Sequence, residues 1–421
     1  MRILVFSHYY PPEVNAPAAR ISQHCRVWAR EGHDVTVVTC APNHPTGNVY
    51  SGYRNRAVQS EVVDGVRVIR VWTLLAQNRN VARRSLNFIS YFISASILLP
   101  WLPRPDIIIS TSPQFFCGLV GGVARLFKRA PWVLEVRDLW PESIHAVGAI
   151  RKGFTTRVLE WLERFAYRRA DRIVAVSNAF VPHIAKRTND ASKIDVVTNG
   201  VDLIEFDPDK SLPDVKSQLG LTDKFVAVYA GTLGMAHGVT TILDAAERLR
   251  HDRRIAFLLV GDGAEREQIV AERERRQLDN VIVLGQRPRD EIPPILKASD
   301  VALVLLRRCE AFTKVLPSKM FEAMAMRRPI ILGVEGEARC LLERAQAGIA
   351  ITPECAEGLA TTVRQLANDH ALAQKLGAQG ADYVRTHHNR EQLALRYLRL
   401  LSGIVSQPKS TRPSFHPVIR R

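Results

Sequence analysis

Short runs of aliphatic and β-branched residues alternate with longer stretches of helical periodicity from one end of the chain to the other. The first half predicts strands at RILVF (2–6), DVTVVT (34–39), VRVIRV (66–71), DIIIS (106–110), WVLEV (132–136) and RIVAV (172–176). The second half repeats the scheme with FVAVYA (225–230), IAFLLV (255–260), VIVL (281–284), VALVL (301–305) and PIILG (329–333). Apolar runs of that length, spaced by helices, indicate parallel sheets covered on both faces. Two doubly wound α/β domains follow.

The seam falls within 198–224, a stretch rich in Asp, Pro, Gly and Lys without long periodicity. The expected units are residues 1–197 and 205–387, with a helix over 388–403 crossing back to the first domain and a disordered basic tail over 404–421. A length of 421 residues suits two cores of about 200 residues each. Ligands of open α/β sheets bind beyond the carboxyl ends of the strands, so the seam is expected to hold a cleft.

Composition narrows the setting. Cys25, Cys40, Cys117, Cys309, Cys340 and Cys355 are scattered without a C-x-x-C pair, which argues against a zinc site or disulfide framework and for a reducing compartment. The apolar start of MRILVFSHYYPPE is too short for a secretory signal, so a cytoplasmic location is expected. A formal charge of +16 favours nucleic acid, an anionic membrane surface or phosphorylated substrates. No aromatic stacking platform or helix-turn-helix pattern accompanies the basic clusters around Arg79–Arg84 and 151–172, which weakens the nucleic-acid reading. The run Leu86–Leu102 contains Asn87, three serines and Pro100 and falls short of the roughly 20 apolar residues of a spanning helix. It reads as a buried helix of the first domain, or as one that also dips into a membrane interface beside its arginines.

Candidate chemistry gathers at strand ends. Gly231, Gly234 and Gly238 follow one second-half strand, Gly261 and Gly263 the next, and Gly285 a third; glycines there let backbone amides approach a phosphate or a base. In VLPSKMFEAMAMRRPII, Pro317 and Ser318 read as a helix start, with Ser318 able to cap the amides. Lys319 and Glu322 lie three apart on one face, either as a surface ion pair or as a nucleotide site in which the lysine meets phosphate and the glutamate meets ribose hydroxyls. In the first half, VLEVRDLWPES ends a strand with Glu135, Arg137, Asp138 and Glu142, and His8 ends the first strand. Arg137 either pairs with its neighbours or stabilises charge in the cleft. Glu142 and Asn199 are the expected acceptor contacts.

Taken in order, SHYYPPE, RDLWPES, AVSNAF, TNGVDLIEFDP, YAGTLGMAHG, VGDGAERE and PSKMFEAMAMRRPII resemble the motifs of the family 4 glycosyltransferases, including the N-acetylfucosamine transferases of bacterial O-antigen and capsule synthesis. The resemblance spans nearly all of residues 1–400 and implies a GT-B fold, with two Rossmann-like domains facing across a cleft. It implies that Glu322 is the second glutamate of the family's E-x7-E motif, the one that holds the donor ribose. It also implies a donor site of Glu322, Lys319, Ser318, Gly231, Gly234, His237, Gly261, Asp262 and Gly263. Two departures stand out. Lys314 occupies the place of the first glutamate, and Thr232 and His237 replace the family's usual basic pair, so Lys319, Arg137 and helix amides are expected to hold the pyrophosphate.

The resemblance further implies a retaining, metal-independent transfer with no cofactor beyond a nucleotide-sugar, uridine-linked, as co-substrate. Arg137, Asp138 and His8 are the expected catalytic residues, the last two positioning the acceptor hydroxyl. A polyprenyl-diphosphate-linked or saccharide acceptor would account for the basic first domain, with peripheral attachment to the inner face of the plasma membrane. An epimerase-like enzyme of the same fold, and a sugar-nucleotide-binding protein without catalysis, are the alternatives.

Overall fold

The computed structural model describes residues 1–44, 46–76, 81–112, 114–140 and 153–406, side chains left aside at 81, 82, 115, 154 and 155. The first sheet has eight strands in the order β3-β4-β2-β1-β5-β6-β7-β8: β1 Arg2–Phe6, β2 Asp34–Cys40, β3 Val58–Val63, β4 Val66–Val71, β5 Ile107–Thr111, β6 Trp132–Val136, β7 Arg172–Ala175 and β8 Ile194–Val196. The second has six in the order β11-β10-β9-β12-β13-β14: β9 Phe225–Ala230, β10 Ile255–Val260, β11 Val281–Gly285, β12 Val301–Leu305, β13 Ile330–Gly333 and β14 Gly348–Ala350.

Each central strand feeds two cores. Along β1, Leu4 and Phe6 face one apolar layer while Ile3 and Val5 face the other; along β9, Val226 and Val228 separate in the same way from Phe225, Ala227 and Tyr229. Side chains of a strand alternate between faces, so a run apolar at every position must be buried on both. All described pairings are parallel except one. The expectation of wholly parallel sheets is corrected at the edge of the first sheet, where β3 pairs antiparallel with β4, Val63 opposite Val66. Asp64 and Gly65 between them both take positive φ, 52° and 78°, the two-residue turn that matches strand twist.

The helix Arg390–Ser406 leaves the second domain and packs on the first helix, Ala16–Arg30. Leu393, Tyr397, Leu398, Leu401 and Ile404 enter the core beneath β1 and β2, and Trp28 Nε1 donates to the Ala394 carbonyl at 2.9 Å. The helix takes in 404–406, the first three residues of the expected tail; residues 407–421 lie outside the described residues. The six cysteines form no disulfide.

Leu401 is fully buried in this layer. Leu401→Ala is therefore expected to destabilise the protein by about 2–5 kcal/mol, read as a lower denaturant midpoint for the first-domain transition.

Candidate functional site: the cleft between the sheets

The second-domain edge of the cleft is built by the loops after β9, β10, β11 and β12 and by the helix Ser318–Ala325. That helix begins without a side-chain cap: Pro317 holds the N-cap position and Ser318 is already helical. The expectation that Ser318 caps the first turn is thereby corrected, and the first-turn amides are left to other acceptors. Lys319 reaches from this turn toward the loop after β9. Its Nζ is buried, makes no hydrogen bond among the described residues, and lies 3.9 Å from the centre of the Tyr229 ring. Burial without an anion pushes its pKa down to about 7, and Glu322 nearby raises it only in part.

Glu322 does not pair with Lys319. It accepts from Arg289 at 2.8 Å, and Arg289 is held in turn by Glu205 at 2.7 Å and stands over the Phe206 ring at 4.8 Å. Burial opposes the charge on Arg289, yet the two carboxylates together raise its pKa. The surface ion pair open to the sequence is replaced by two separate arrangements on one helical face.

The glycines serve the protein before they serve a ligand. A Cβ on Gly261, where φ is 143°, would stand 1.8 Å from the Gly231 carbonyl, and one on Gly263 would stand 2.2 Å from the Leu233 carbonyl. The β9 and β10 loops are stacked backbone on backbone. A Cβ on Gly234 would meet only Thr232 Cγ2 at 3.5 Å, so no packing demand of the protein fixes a glycine there. Asp262 Oδ1 accepts from the Gly263 amide at 2.8 Å. His237 is held neutral, its pKa lowered to about 3 by burial and by Lys319, and its Nδ1 is buried without a partner among the described residues.

On the opposite edge, Arg137 follows β6. Its Nε donates to the Ser112 carbonyl at 2.8 Å and Nη1 to the Pro17 carbonyl at 3.2 Å, while Nη2 is buried without a hydrogen-bond partner among the described residues. Its neighbour Glu135 is fully buried and taken up by Arg20, Nε to Oε1 at 3.2 Å and Nη2 to Oε2 at 3.3 Å. Asp138 lines a small apolar recess with Ser112, Leu119, Trp140, Glu163 and Tyr167. His8 is enclosed by Tyr9, Phe88 and Tyr91, with Cys40 Sγ 3.9 Å from Nδ1, and burial lowers its pKa to about 3. A neutral imidazole results. Glu13, in the same loop, accepts from the amides of Asn43 at 2.9 Å and His44 at 3.0 Å, and burial raises its pKa to about 7.

The two edges meet at a hinge where the chain crosses twice. Val201 and Arg390 exchange backbone bonds with His388 and Val201, at 2.9 and 3.0 Å. A Cβ on Gly200 would stand 2.3 Å from the His388 carbonyl, so only glycine lets the crossings touch. Arg20 donates to the carbonyls of Val197 and Thr198, and Phe321 of the Lys319 helix stacks on His388 with ring centres 4.4 Å apart. Across the cleft itself, Glu337 bonds Ser177, Asn178 and Ala179.

A family model, "Glycosyl transferase 4-like domain", matches residues 15–200, and a second, "Glycosyl transferases group 1", matches residues 213–383. The chain belongs to the family 4 glycosyltransferases. It is 24% identical over 417 residues to an Escherichia coli K12 protein described as "Putative colanic acid biosynthesis glycosyl transferase WcaI", covering 96% of this chain and 100% of that one. It is 25% identical over 277 residues to the Escherichia coli "UDP-Gal:alpha-D-GlcNAc-diphosphoundecaprenol alpha-1,3-galactosyltransferase", covering 63% of this chain and 67% of that protein. Among solved structures it resembles sucrose-phosphate synthase from Thermosynechococcus elongatus, TM-score 0.79 at 18% identity over 96% and 98% of the two chains. Anabaena Alr3699/HepE in complex with UDP and glucose gives 0.71 at 17% over 95% and 99%. The fold is GT-B.

In this glycosyltransferase the expected donor residues Ser318, Lys319, Glu322, Gly231, Gly234, His237, Gly261, Asp262 and Gly263 all lie on the helix Ser318–Ala325 or on the loops after β9 and β10. Arg137, Asp138 and His8 lie at ends of first-sheet strands, with His8 enclosed. Asn199 is engaged in the hinge: its Oδ1 accepts from Arg20 at 3.3 Å and its carbonyl from His388 at 3.0 Å. Glu142 lies outside the described residues. Sequence reasoning missed Arg20, Glu205, Arg289, Tyr229 and Glu337, whose partners are far away in the chain. Gly261→Ala is expected to abolish soluble expression, whereas Gly234→Ala folds with an unchanged thermal midpoint, as circular dichroism would read.

Proposed function

We propose that the protein transfers a sugar, an N-acetylated or deoxy hexose, from a uridine-linked nucleotide-sugar to a lipid-linked or saccharide acceptor in cell-surface polysaccharide synthesis, with retention and without a metal. The observation that carries this reading is the buried, unpartnered Lys319 ammonium beside an uncapped helix N-terminus. Amides and a desolvated cation aimed at one place are what a departing nucleoside diphosphate requires. Relatives whose names specify a UDP-sugar donor, a diphosphoundecaprenol acceptor or colanic acid synthesis support the substrate classes.

In this scheme Glu322, oriented by Arg289, accepts from the ribose hydroxyls. Lys319 and the amides of Ser318 and Lys319 hold the diphosphate, with His237 as a neutral hydrogen-bonding neighbour. Arg137 offers Nη2 from the opposite edge, and Asp138 positions the acceptor hydroxyl. His8, enclosed and uncharged, supports the loop that carries it. A departing phosphate oxygen takes the acceptor proton.

Three adjacent helices of the first domain, Val81–Leu98, Phe115–Lys128 and Phe154–Arg169, bear on membrane attachment. Their outer faces and the following turn expose Ile97, Trp101, Leu126, Phe127 and Trp161, the two tryptophans at 74% and 59%. Arg104, Arg129, Arg164 and Arg168 are exposed on the same elements and their flanks. Apolar and aromatic tips among arginines suit peripheral attachment to anionic lipid, each basic side chain contributing about 1 kcal/mol. Among the described residues no helix is long and apolar enough to cross a membrane.

Donor affinity carries a sign that tests the site. Below pH 7 the Lys319 ammonium is already formed in the free protein; above it, binding the diphosphate must also take up a proton. Affinity for a UDP-sugar is thus expected to be greatest below pH 7 and to fall by up to about tenfold per pH unit above it. Calorimetry should find that slope lost, with much weaker binding, in Lys319→Met, and weaker binding with the slope retained in Arg137→Ala; wild-type affinity in both variants would refute the assignment. Vesicles containing anionic lipid are expected to sediment the protein at low salt and release it at high salt, while Trp101→Ser with Trp161→Ser weakens binding.

A further inference from the structure

Apart from the hinge, a polar contact joins the two domains, and nothing in the scheme above uses it. Glu337 opens the helix Glu337–Ala345 of the second domain, directly after Gly336. Its Oε1 accepts from the Asn178 amide at 3.0 Å and its Oε2 from the Ala179 amide at 2.8 Å. The Ser177 hydroxyl lies between the Glu337 carboxylate and the Lys314 carbonyl, 2.8 Å from the latter. Ser177, Asn178 and Ala179 follow β7 in the first domain, so one carboxylate satisfies the start of the short helix Asn178–Phe180 across the cleft.

The same contact fixes a loop. The turn Glu310–Lys314 leads from β12 to the helix that carries Lys319 and Glu322. On one side it is pressed against Gly336, where φ is 76° and a Cβ would stand 2.0 Å from the Thr313 carbonyl. On the other it is held by Ser177 through the Lys314 carbonyl. The turn therefore has contacts in both domains. The two domain junctions also differ in kind. At the hinge, Arg20, Gly200 and Arg390 are buried and the chain crossings touch. At the Glu337 contact Ser177 is buried, but Glu337 and Ala179 are half-buried and Asn178 is exposed, and a carboxylate with donors is a contact that water can replace when the domains part.

We infer that Glu337 is a positioning residue: its carboxylate clasps the first domain to the second and, in doing so, sets the turn that leads into the Lys319 helix. This rests on the reading that transfer occurs in the cleft. Closure then assembles the site rather than merely covering it.

Small-angle X-ray scattering of the full chain with and without UDP, calorimetric UDP affinity, and turnover of the UDP-sugar that the wild type uses best test this in Glu337→Ala, Glu337→Gln and Ser177→Ala. Wild type is expected to contract with UDP and Glu337→Ala to stay expanded. The Ala variant is expected to lose about 10- to 100-fold in kcat, the value of hydrogen bonds to a charged group, with UDP affinity falling by less than kcat does, by the share that closure contributes to binding. Glu337→Gln should retain part of both. Wild-type contraction and kcat in Glu337→Ala would overturn the proposal, and so would an equal fall of kcat and UDP affinity with a lower thermal midpoint. Should Glu337→Ala be insoluble, Ser177→Ala decides by the same criteria. A wild type that turns over no UDP-sugar would sink the transferase reading, while the scattering comparison would still decide the clasp.

Discussion

A cation buried without an anion is the constraint from which the cleft takes its form. Among the described residues Lys319 Nζ makes no hydrogen bond and gains the face of Tyr229 and the nearby charge of Glu322, which offset part of the desolvation. The neighbouring carboxylate cannot neutralise it, because Glu322 is already claimed by Arg289, and Arg289 by Glu205. Gly231 makes the placement possible: a Cβ there would stand 2.7 Å from Nζ. The lysine gives up part of its charge, its pKa brought down to about 7 by burial, and the surrounding fold holds it there, as is usual where a site is prepared for a charged ligand.

The helix that presents this charge is fixed from behind. Phe321, on the same helix, stacks on His388 at the point where the two chain crossings bond to one another. Movement at the hinge is therefore felt directly by the Lys319 helix, while the Glu337 contact ties the turn before that helix to the first domain. One short helix of eight residues is coupled to both junctions.

The first domain uses charge differently. Glu135 and Arg20 are both buried and consume one another, and Arg20 spends its remaining donors on the hinge carbonyls. Breaking such a pair would strand a charge in the core. Arg137, two residues on, is spared that duty: Glu135 is 3.9 Å from its Nε, and its Nη2 has no partner among the described residues. The strand end that carries three charges in sequence therefore divides them between architecture and the cleft.

The sequence by itself determined the elements and the order of the domains. RILVF, VRVIRV, WVLEV, FVAVYA and IAFLLV form strands with the bounds their runs predict, because nearly every position is buried, Arg2 and Arg67 excepted, and the contrast with the flanking loops marks the ends. It also carried one signal that went unread, the Asp64-Gly65 turn, since VQSEVV is half-exposed and its polar residues hide the strand. Short β8 and β14, three half-buried residues each, lack the contrast that periodicity needs. The helix with Lys319 and Glu322 was legible from PSKMFEAMA, but their separation into a lone ammonium and a carboxylate held by Arg289 was not. Only tertiary structure decided which charges pair, because Arg20 with Glu135, Arg289 with Glu322 and Glu337 with Ser177 join residues 33 to 160 positions apart. Local patterning records what a segment buries; which partner waits at the far end of a side chain depends on how the sheets twist and where the hinge lets them meet.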